Sequence, residues 1–274
     1  MRQISKKTEW DKVAEWWNDE VGDTGAWHQK HDIDPVIFKI IGKIREKKIL
    51  EIGCGNGYFS RLLAGKGAKV TAIDISKKLL EFAIAKEKEK PLGIRYLARD
   101  AADLYGIKSK YFDLAIANMS LMDIKDVQST IKEVSLILKN KGQFICSITH
   151  PVFHDDFHQQ WVIVKENGKK YFARAISRYL FSATEEHILW ASGVKATYYH
   201  RSLETYFNYL RNADFAIRGI REIFTKKLIL KAKKEDGDIT LRRSKYSTLA
   251  EKRMKELAKK EIPMFLIIET FKIK

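Results

Sequence analysis

Between Lys47 and Thr149 the chain alternates short apolar runs with helical stretches, and this alternation restricts the fold more than any other feature. The runs are KKILEIG, AKVTAID, GIRYLAR, YFDLAIAN and GQFICSIT, rich in Ile, Val, Leu and Phe. Between them stand YFSRLLAG and KKLLEFAIAKEKEK, the second with Ser76 placed as its N-cap. Apolar strands separated by helices imply βαβ units and a parallel sheet covered on both faces, with right-handed crossovers. The expectation is a doubly wound α/β core over residues 47–150.

The flanks read differently. Residues 1–46 form an N-terminal cap: four of the six tryptophans (Trp10, Trp16, Trp17, Trp27) and two histidines (His28, His31) lie within 9–33. A helix is expected from Asp34-Pro35, with Asp as N-cap and Val36, Ile37, Ile40, Ile41 and Ile44 as its buried stripe. After Pro151 the rhythm breaks, and 151–197 reads as an insertion rich in aromatic residues and histidine, without a clear period. Residues 198–274 complete the sheet: Ser202 caps a helix bearing Leu203, Tyr206, Phe207 and Leu210, and FAIRGIREI and PMFLIIETFK are strands. The whole is one domain.

Composition excludes several classes. At 45% hydrophobic the chain can bury a core, so intrinsic disorder is not expected. Two cysteines, Cys54 and Cys146, make neither a disulfide scaffold nor a Cys-rich zinc site, and no metal is expected. No apolar run approaches the ~20 residues that span a bilayer, and the opening residues hold no signal-peptide core. The reading is a soluble, cytoplasmic protein without a membrane partner. The charge is 51 Lys+Arg against 35 Asp+Glu, a net of +16. Half of that excess lies in 225–260, whose KYSTLAEKRMKELAKK reads as an exposed, charged helix.

The stretch with most chemical content is Glu51-Ile-Gly53-Cys-Gly55-Asn-Gly57, between the first strand and the next helix. Glycines at such a turn let a ligand approach the backbone, and the helix N-terminus favours an anionic group. A nicotinamide or flavin enzyme would carry G-x-G-x-x-G, which here puts Tyr58 where the third glycine belongs. The spacing present, E-x-G-x-G-x-G, resembles motif I of class I S-adenosylmethionine-dependent methyltransferases. Further strand ends follow in order: Asp74, then Asp100-Ala101, then Asn118. The resemblance implies that the Glu51–Gly57 loop holds the methionine part of S-adenosylmethionine. It further implies that Asp74 takes the ribose, Ile75 covers an adenine face, Asp100 and Ala101 meet the adenine edge, and Asn118 lines the methyl end. It extends to WNDEVGDTGAWHQKHDIDP, His150-Pro151, Tyr199-His200-Arg201-Ser202-Leu203 and PMFLIIE, and implies a mostly parallel seven-stranded sheet of order 3-2-1-4-5-7-6, its last strand antiparallel.

Methyl transfer to a soluble acceptor needs alignment, proton removal and exclusion of water. Residues 9–33 and 152–197 are the candidate lid, with Trp16, Trp27, His28, His31 and Tyr199 as substrate-side residues. Among the histidines, His150 follows the fifth strand directly and is the first candidate base; His200 is the second. His154, His158 and the Asp155-Asp156 pair are further polar groups of the insertion. The leading reading is transfer to O or N of a small molecule. The alternative is an RNA methyltransferase using the basic 225–260 segment, and a third is a non-catalytic binder of the same fold. No N-P-P-[YF]-type motif follows the fourth strand, where Asn118-Met-Ser-Leu stands. The sequence sets no oligomeric state.

Overall fold

The computed structural model describes residues 8–153, 159–167, 169–188, 195–224 and 262–273. Helix α1 (Glu9–Val21) starts at a capping box: the Thr8 hydroxyl accepts from the Asp11 N–H, and the Asp11 carboxylate accepts from the Thr8 N–H. It buries Val13, Ala14 and Val21. Residues Gln29–Ile33 form one π-helical turn that runs into α2 (Asp34–Ile41). This corrects the expected cap. Asp34 is itself helical (φ −58°, ψ −41°) and its side chain caps nothing. The chain is already helical before Pro35, so the carboxylate turns inward instead, to Asn118 and Tyr58.

The core strands are β1 (Lys48–Ile52), β2 (Lys69–Asp74), β3 (Arg95–Ala98), β4 (Phe112–Asn118) and β5 (Leu138–Thr149). Helices α3 (Tyr58–Gly65), α4 (Lys77–Glu89) and α5 (Val127–Ile137) make three of the four connections, and β3 passes to β4 through turns without a helix. Beyond the core lie β6 (Gln159–Glu166), β7 (Lys169–Ile176), β8 (Ala183–Ile188), β9 (Lys195–His200), α6 (Leu203–Asn212), β10 (Phe215–Ile223) and β11 (Phe265–Lys272). The seven-stranded sheet runs β3-β2-β1-β4-β5-β11-β10, with β11 antiparallel to both neighbours. That is the expected order 3-2-1-4-5-7-6.

Alternate residues of each central strand feed opposite cores, which is why these strands read as continuous apolar runs. Leu50, Ala115, Phe144 and Leu266 join Ile131, Val134, Tyr206 and Leu210 on one face. Ile49, Leu114, Ile145 and Ile267 join Ile37, Phe59, Leu63 and Leu80 on the other. Ser76 and Ser202 cap α4 and α6, accepting from the Leu79 and Thr205 N–H groups.

The insertion forms two antiparallel hairpins, β6–β7 and β8–β9. Asn167, with φ of 50°, belongs to an Asn-Gly pair between β6 and β7, the usual local signal of a tight hairpin. The second hairpin is tied down through two adjacent residues of β9. Tyr198 bonds Thr149 through their hydroxyls (2.8 Å), and the Thr197 hydroxyl donates to Glu9 of α1 (2.6 Å). The expected charged helix within 225–260 lies outside the described residues.

Candidate functional site

Three glycines between β1 and α3 share left-handed backbone: Gly53 at φ 68°, Gly55 at 56° and Gly57 at 76°. Each is also closely packed. A Cβ on Gly53 would stand 2.5 Å from Ser120 Cβ, one on Gly55 3.3 Å from Trp17 Nε1, and one on Gly57 2.5 Å from Tyr96 Oη. The loop therefore needs glycine for conformation and for space. It is pinned to β2 through the Gly53 and Cys54 N–H groups, which donate to the Ile73 carbonyl. The Cys54 thiol is buried, and burial pushes its pKa up, as suits a small filler of the loop rather than a nucleophile.

Asp74 ends β2 against this loop. Its two carboxylate oxygens accept from the Gly55 and Ser76 N–H groups, each at 2.8 Å. A carboxylate has about four lone-pair directions, so further acceptor capacity remains after these two bonds. Burial pushes its pKa up to about 6 despite those bonds. Glu51, at the base of the loop, is buried and accepts a hydrogen bond from Ser60; burial raises it to about 8, with Asp34 and Asp74 adding repulsion.

The Glu51 shift is testable. A carboxyl raised from about 4.5 to about 8 on folding gives stability that is full below pH 4.5 and lost as pH rises through 8. Glu51→Gln carries no titrating group there. Wild type should lose stability relative to this variant between pH 5 and 8, at up to about 1.4 kcal/mol per pH unit. Urea denaturation of both proteins at the two pH values measures it; a gap that does not move with pH would refute the shift.

At the end of β4, Asn118 Nδ2 donates to Asp34 Oδ1 (2.9 Å) and lies 3.0 Å from Tyr58 Oη, while its Oδ1 accepts from the Ser147 hydroxyl (2.7 Å). The next residue, Met119, takes φ of 57° and turns the chain back through its N–H to Ser147. Asp34 is 4% exposed, and its Oδ2 has no hydrogen-bond partner among the described residues. Burial raises its carboxyl to about 7. The sequence offered Asp34 only as a helix cap, so its place beside the loop is a residue that reading missed; no local signal could show that the side chain points inward.

At the end of β3, Asp100 is exposed and caps its own turn at the Ala102 N–H, and Ala101 is buried. Ile75 is partly exposed next to Asp74. Trp16 and Trp17 of α1 are in ring contact (5.9 Å between centroids), and Trp17 lies against Gly55. Asn56 of the loop donates to Asn18 and to the Gly22 carbonyl, which fixes the cap across the loop. Trp27 packs on His28 and His31, and His28 Nδ1 is 3.0 Å from Asp32. The structure thus brings part of the cap onto the glycine loop, while Trp27, His28 and His31 form their own cluster, joined through His28 to Phe265 of β11.

His150 is 1% exposed at the exit of β5. Its Nδ1 accepts from the Val152 N–H, so its Nε2 carries the hydrogen and faces Glu222 at 3.2 Å. His200 Nε2 donates to the Tyr179 carbonyl (2.9 Å), which leaves Nδ1 as the acceptor of that ring. Tyr199 is partly exposed, with the Arg201 guanidinium 5.3 Å from its ring centre. Arg201 donates to the Ile124 and Lys125 carbonyls, tying β9 to the turn beyond β4. His154, His158, Asp155 and Asp156 lie outside the described residues. Among the described residues, no group of three or more His, Cys, Asp or Glu could hold a metal ion, and no helix is long and apolar enough to cross a membrane.

A family described as "Methyltransferase domain" matches residues 50–146. A ubiquinone biosynthesis O-methyltransferase of Pelagibacter ubique is 33% identical over 167 residues, covering 54% of this chain and 67% of that protein. One of Coxiella burnetii is 30% identical over 140 residues, covering 50% of this chain; the chain spans only 58% of that protein's length. The crystal structure of an S-adenosylmethionine-dependent methyltransferase from Mesorhizobium loti superposes with a TM-score of 0.65 at 26% identity, covering 87% of this chain and 96% of that one.

Proposed function

We propose that this chain, which belongs to the class I S-adenosylmethionine-dependent methyltransferases, moves a methyl group by in-line displacement to an oxygen or nitrogen of a small-molecule acceptor. The observation that carries the reading is the loop of three left-handed glycines lying directly against the buried Asp74 carboxylate. These residues fit the cofactor: the loop admits close backbone approach, and Asp74 keeps acceptor capacity after bonding Gly55 and Ser76. When bound, S-adenosylmethionine supplies an electrophilic methyl group on a sulfonium centre.

The chain's own residues then bind, orient and exclude water. In this reading Asp74 accepts the ribose hydroxyls, Ile75 covers an adenine face, and Asp100 and Ala101 meet the adenine edge. Glu51, Gly53, Gly55 and Gly57 hold the methionine part, with Asn118 at the methyl end. His150 and His200 are the candidate bases, and His200 keeps a ring nitrogen able to accept a proton. Support for a small acceptor comes from the names of the curated relatives, which are O-methyltransferases of ubiquinone biosynthesis. The contact between α1 and the β8–β9 hairpin supports a common cover over the site. The basic 225–260 segment, on which the RNA alternative rests, lies outside the described residues.

Tritium transfer from labelled cofactor, into a small-molecule extract and into total RNA at near-physiological salt, tests the proposal. Label is expected in the small-molecule fraction. Site-specific label in RNA, abolished by charge reversal at Arg242 and Arg243, would replace this reading with the alternative. The cover has its own test: amide exchange in residues 9–33 and 152–197 should slow when cofactor and acceptor bind. Exchange unchanged in both segments would remove the lid from the proposal.

A further inference from the structure

Around the glycine loop the fold buries three carboxyl groups, Glu51, Asp74 and Asp34, and they are not equally satisfied. Asp74 bonds two backbone N–H groups, and Glu51 bonds the Ser60 hydroxyl. Asp34 differs. Its Oδ1 accepts from Asn118 (2.9 Å) and Tyr58 (3.4 Å), both neutral groups, and its Oδ2 has no partner among the described residues. A buried carboxylate without a cation is costly, and neutral donors orient it without cancelling its charge. The position is specific: Tyr58 directly follows Gly57, and Asn118 ends β4 beside β1.

We propose that Asp34 is the anchor for the α-ammonium group of the cofactor's amino-acid moiety, brought to the glycine loop by the N-terminal cap. The assignment rests on the cofactor reading above. The ammonium fits because it supplies a positive charge beside Asp34, whose described neighbours Asn118 and Tyr58 are neutral, and the donor that Oδ2 lacks. Asn118 and Tyr58 hold the carboxylate beside the residue that follows the loop and the end of β4, next to where the cofactor reading puts the amino acid. An amine on the acceptor is the other source of an ammonium. It is disfavoured by position, because Asp34 touches the residues that follow the loop and end β4, and no described contact links it to the insertion. The elevated carboxyl, at about 7, agrees with a group held partly protonated until a cation arrives.

The test is titration calorimetry with S-adenosylhomocysteine and with its deamino analogue, which lacks only the α-amino group, on wild type and Asp34→Asn. The variant should bind S-adenosylhomocysteine at least about tenfold more weakly and the deamino analogue unchanged, because a charge-assisted bond is lost only where the ammonium is present. Equal losses for both ligands would assign Asp34 a purely structural role, and no loss for either would place the ammonium elsewhere; each overturns the proposal. Wild type that binds neither ligand would instead refute the cofactor reading itself. Should the variant not fold, wild type answers alone. Its preference for S-adenosylhomocysteine over the deamino analogue should grow between pH 6 and 8 as Asp34 ionises. Tyr58 and Glu51 are the titratable groups facing Asp34. Tyr58 is held neutral far above this range by burial, and repeating the series in Glu51→Gln separates the other. A preference flat with pH in both proteins would overturn the proposal.

Discussion

Replacing Gly53 with alanine is expected to destabilise the protein by about 2–5 kcal/mol, the sum of a left-handed backbone cost and overpacking. The backbone stands at φ 68°, and the new Cβ would lie 2.5 Å from Ser120 Cβ and 3.0 Å from its Oγ. Ser120 cannot simply yield, because it is buried and its hydroxyl donates to the Ile52 carbonyl at 2.8 Å. The substitution therefore strains the loop or breaks the link between the β4 turn and the end of β1. Gly93→Ala is the control: Gly93 has φ of 77°, but its Cβ would meet nothing within 4 Å. Chemical denaturation should show Gly53→Ala losing clearly more than Gly93→Ala. Equal losses would mean that conformation alone, and not close packing, requires glycine at the start of the loop.

Asp74→Ala should weaken binding of S-adenosylhomocysteine by about 10- to 150-fold, the equivalent of roughly 1.5–3 kcal/mol for charge-assisted hydrogen bonds to the ribose. The same loss should appear with 5′-methylthioadenosine, which retains the ribose and lacks the amino acid. That pattern is opposite to the one expected at Asp34, where only ligands bearing an α-ammonium should suffer. Removing Asp74 also frees the Gly55 and Ser76 N–H groups, so a modest fall in stability accompanies the loss of affinity. Calorimetry on the folded variant separates the two effects. Unchanged affinity for both ligands would exclude Asp74 from the ribose site.

Much of the core was legible because its signals are local and mutually consistent. Five apolar runs, spaced by helices at every crossover but the one from β3 to β4, point to a parallel sheet, and Ser76 and Ser202 announce the helices they cap. The helix at Tyr58–Gly65 has the limits that its sequence suggests, since glycines bound it on both sides. The cap and the insertion were less legible. A π-helical turn before Pro35 leaves no trace in residue spacing, so Asp34 reads as a cap by local rules and serves otherwise. The hairpins of the insertion have little alternation because much of their pairing lies outside the two-faced core that imposes a period on the sheet.

Within the core, the sequence alone determined the succession of strands and helices and the glycine loop with an acid at the end of the next strand, because these follow from periodicity, turn chemistry and spacing along the chain. Tertiary structure decided which polar groups meet. Asp34, Tyr58, Asn118 and Ser147 lie far apart along the chain, yet they form one buried network. Such a meeting is set by the packing of α2 against the sheet edge where β1 and β4 end, and the free energy that holds it comes from apolar surface buried elsewhere, at Ile37, Phe59 and Leu63. A charged group that must be buried has no local preference to announce it; only the fold around it fixes what it can bind.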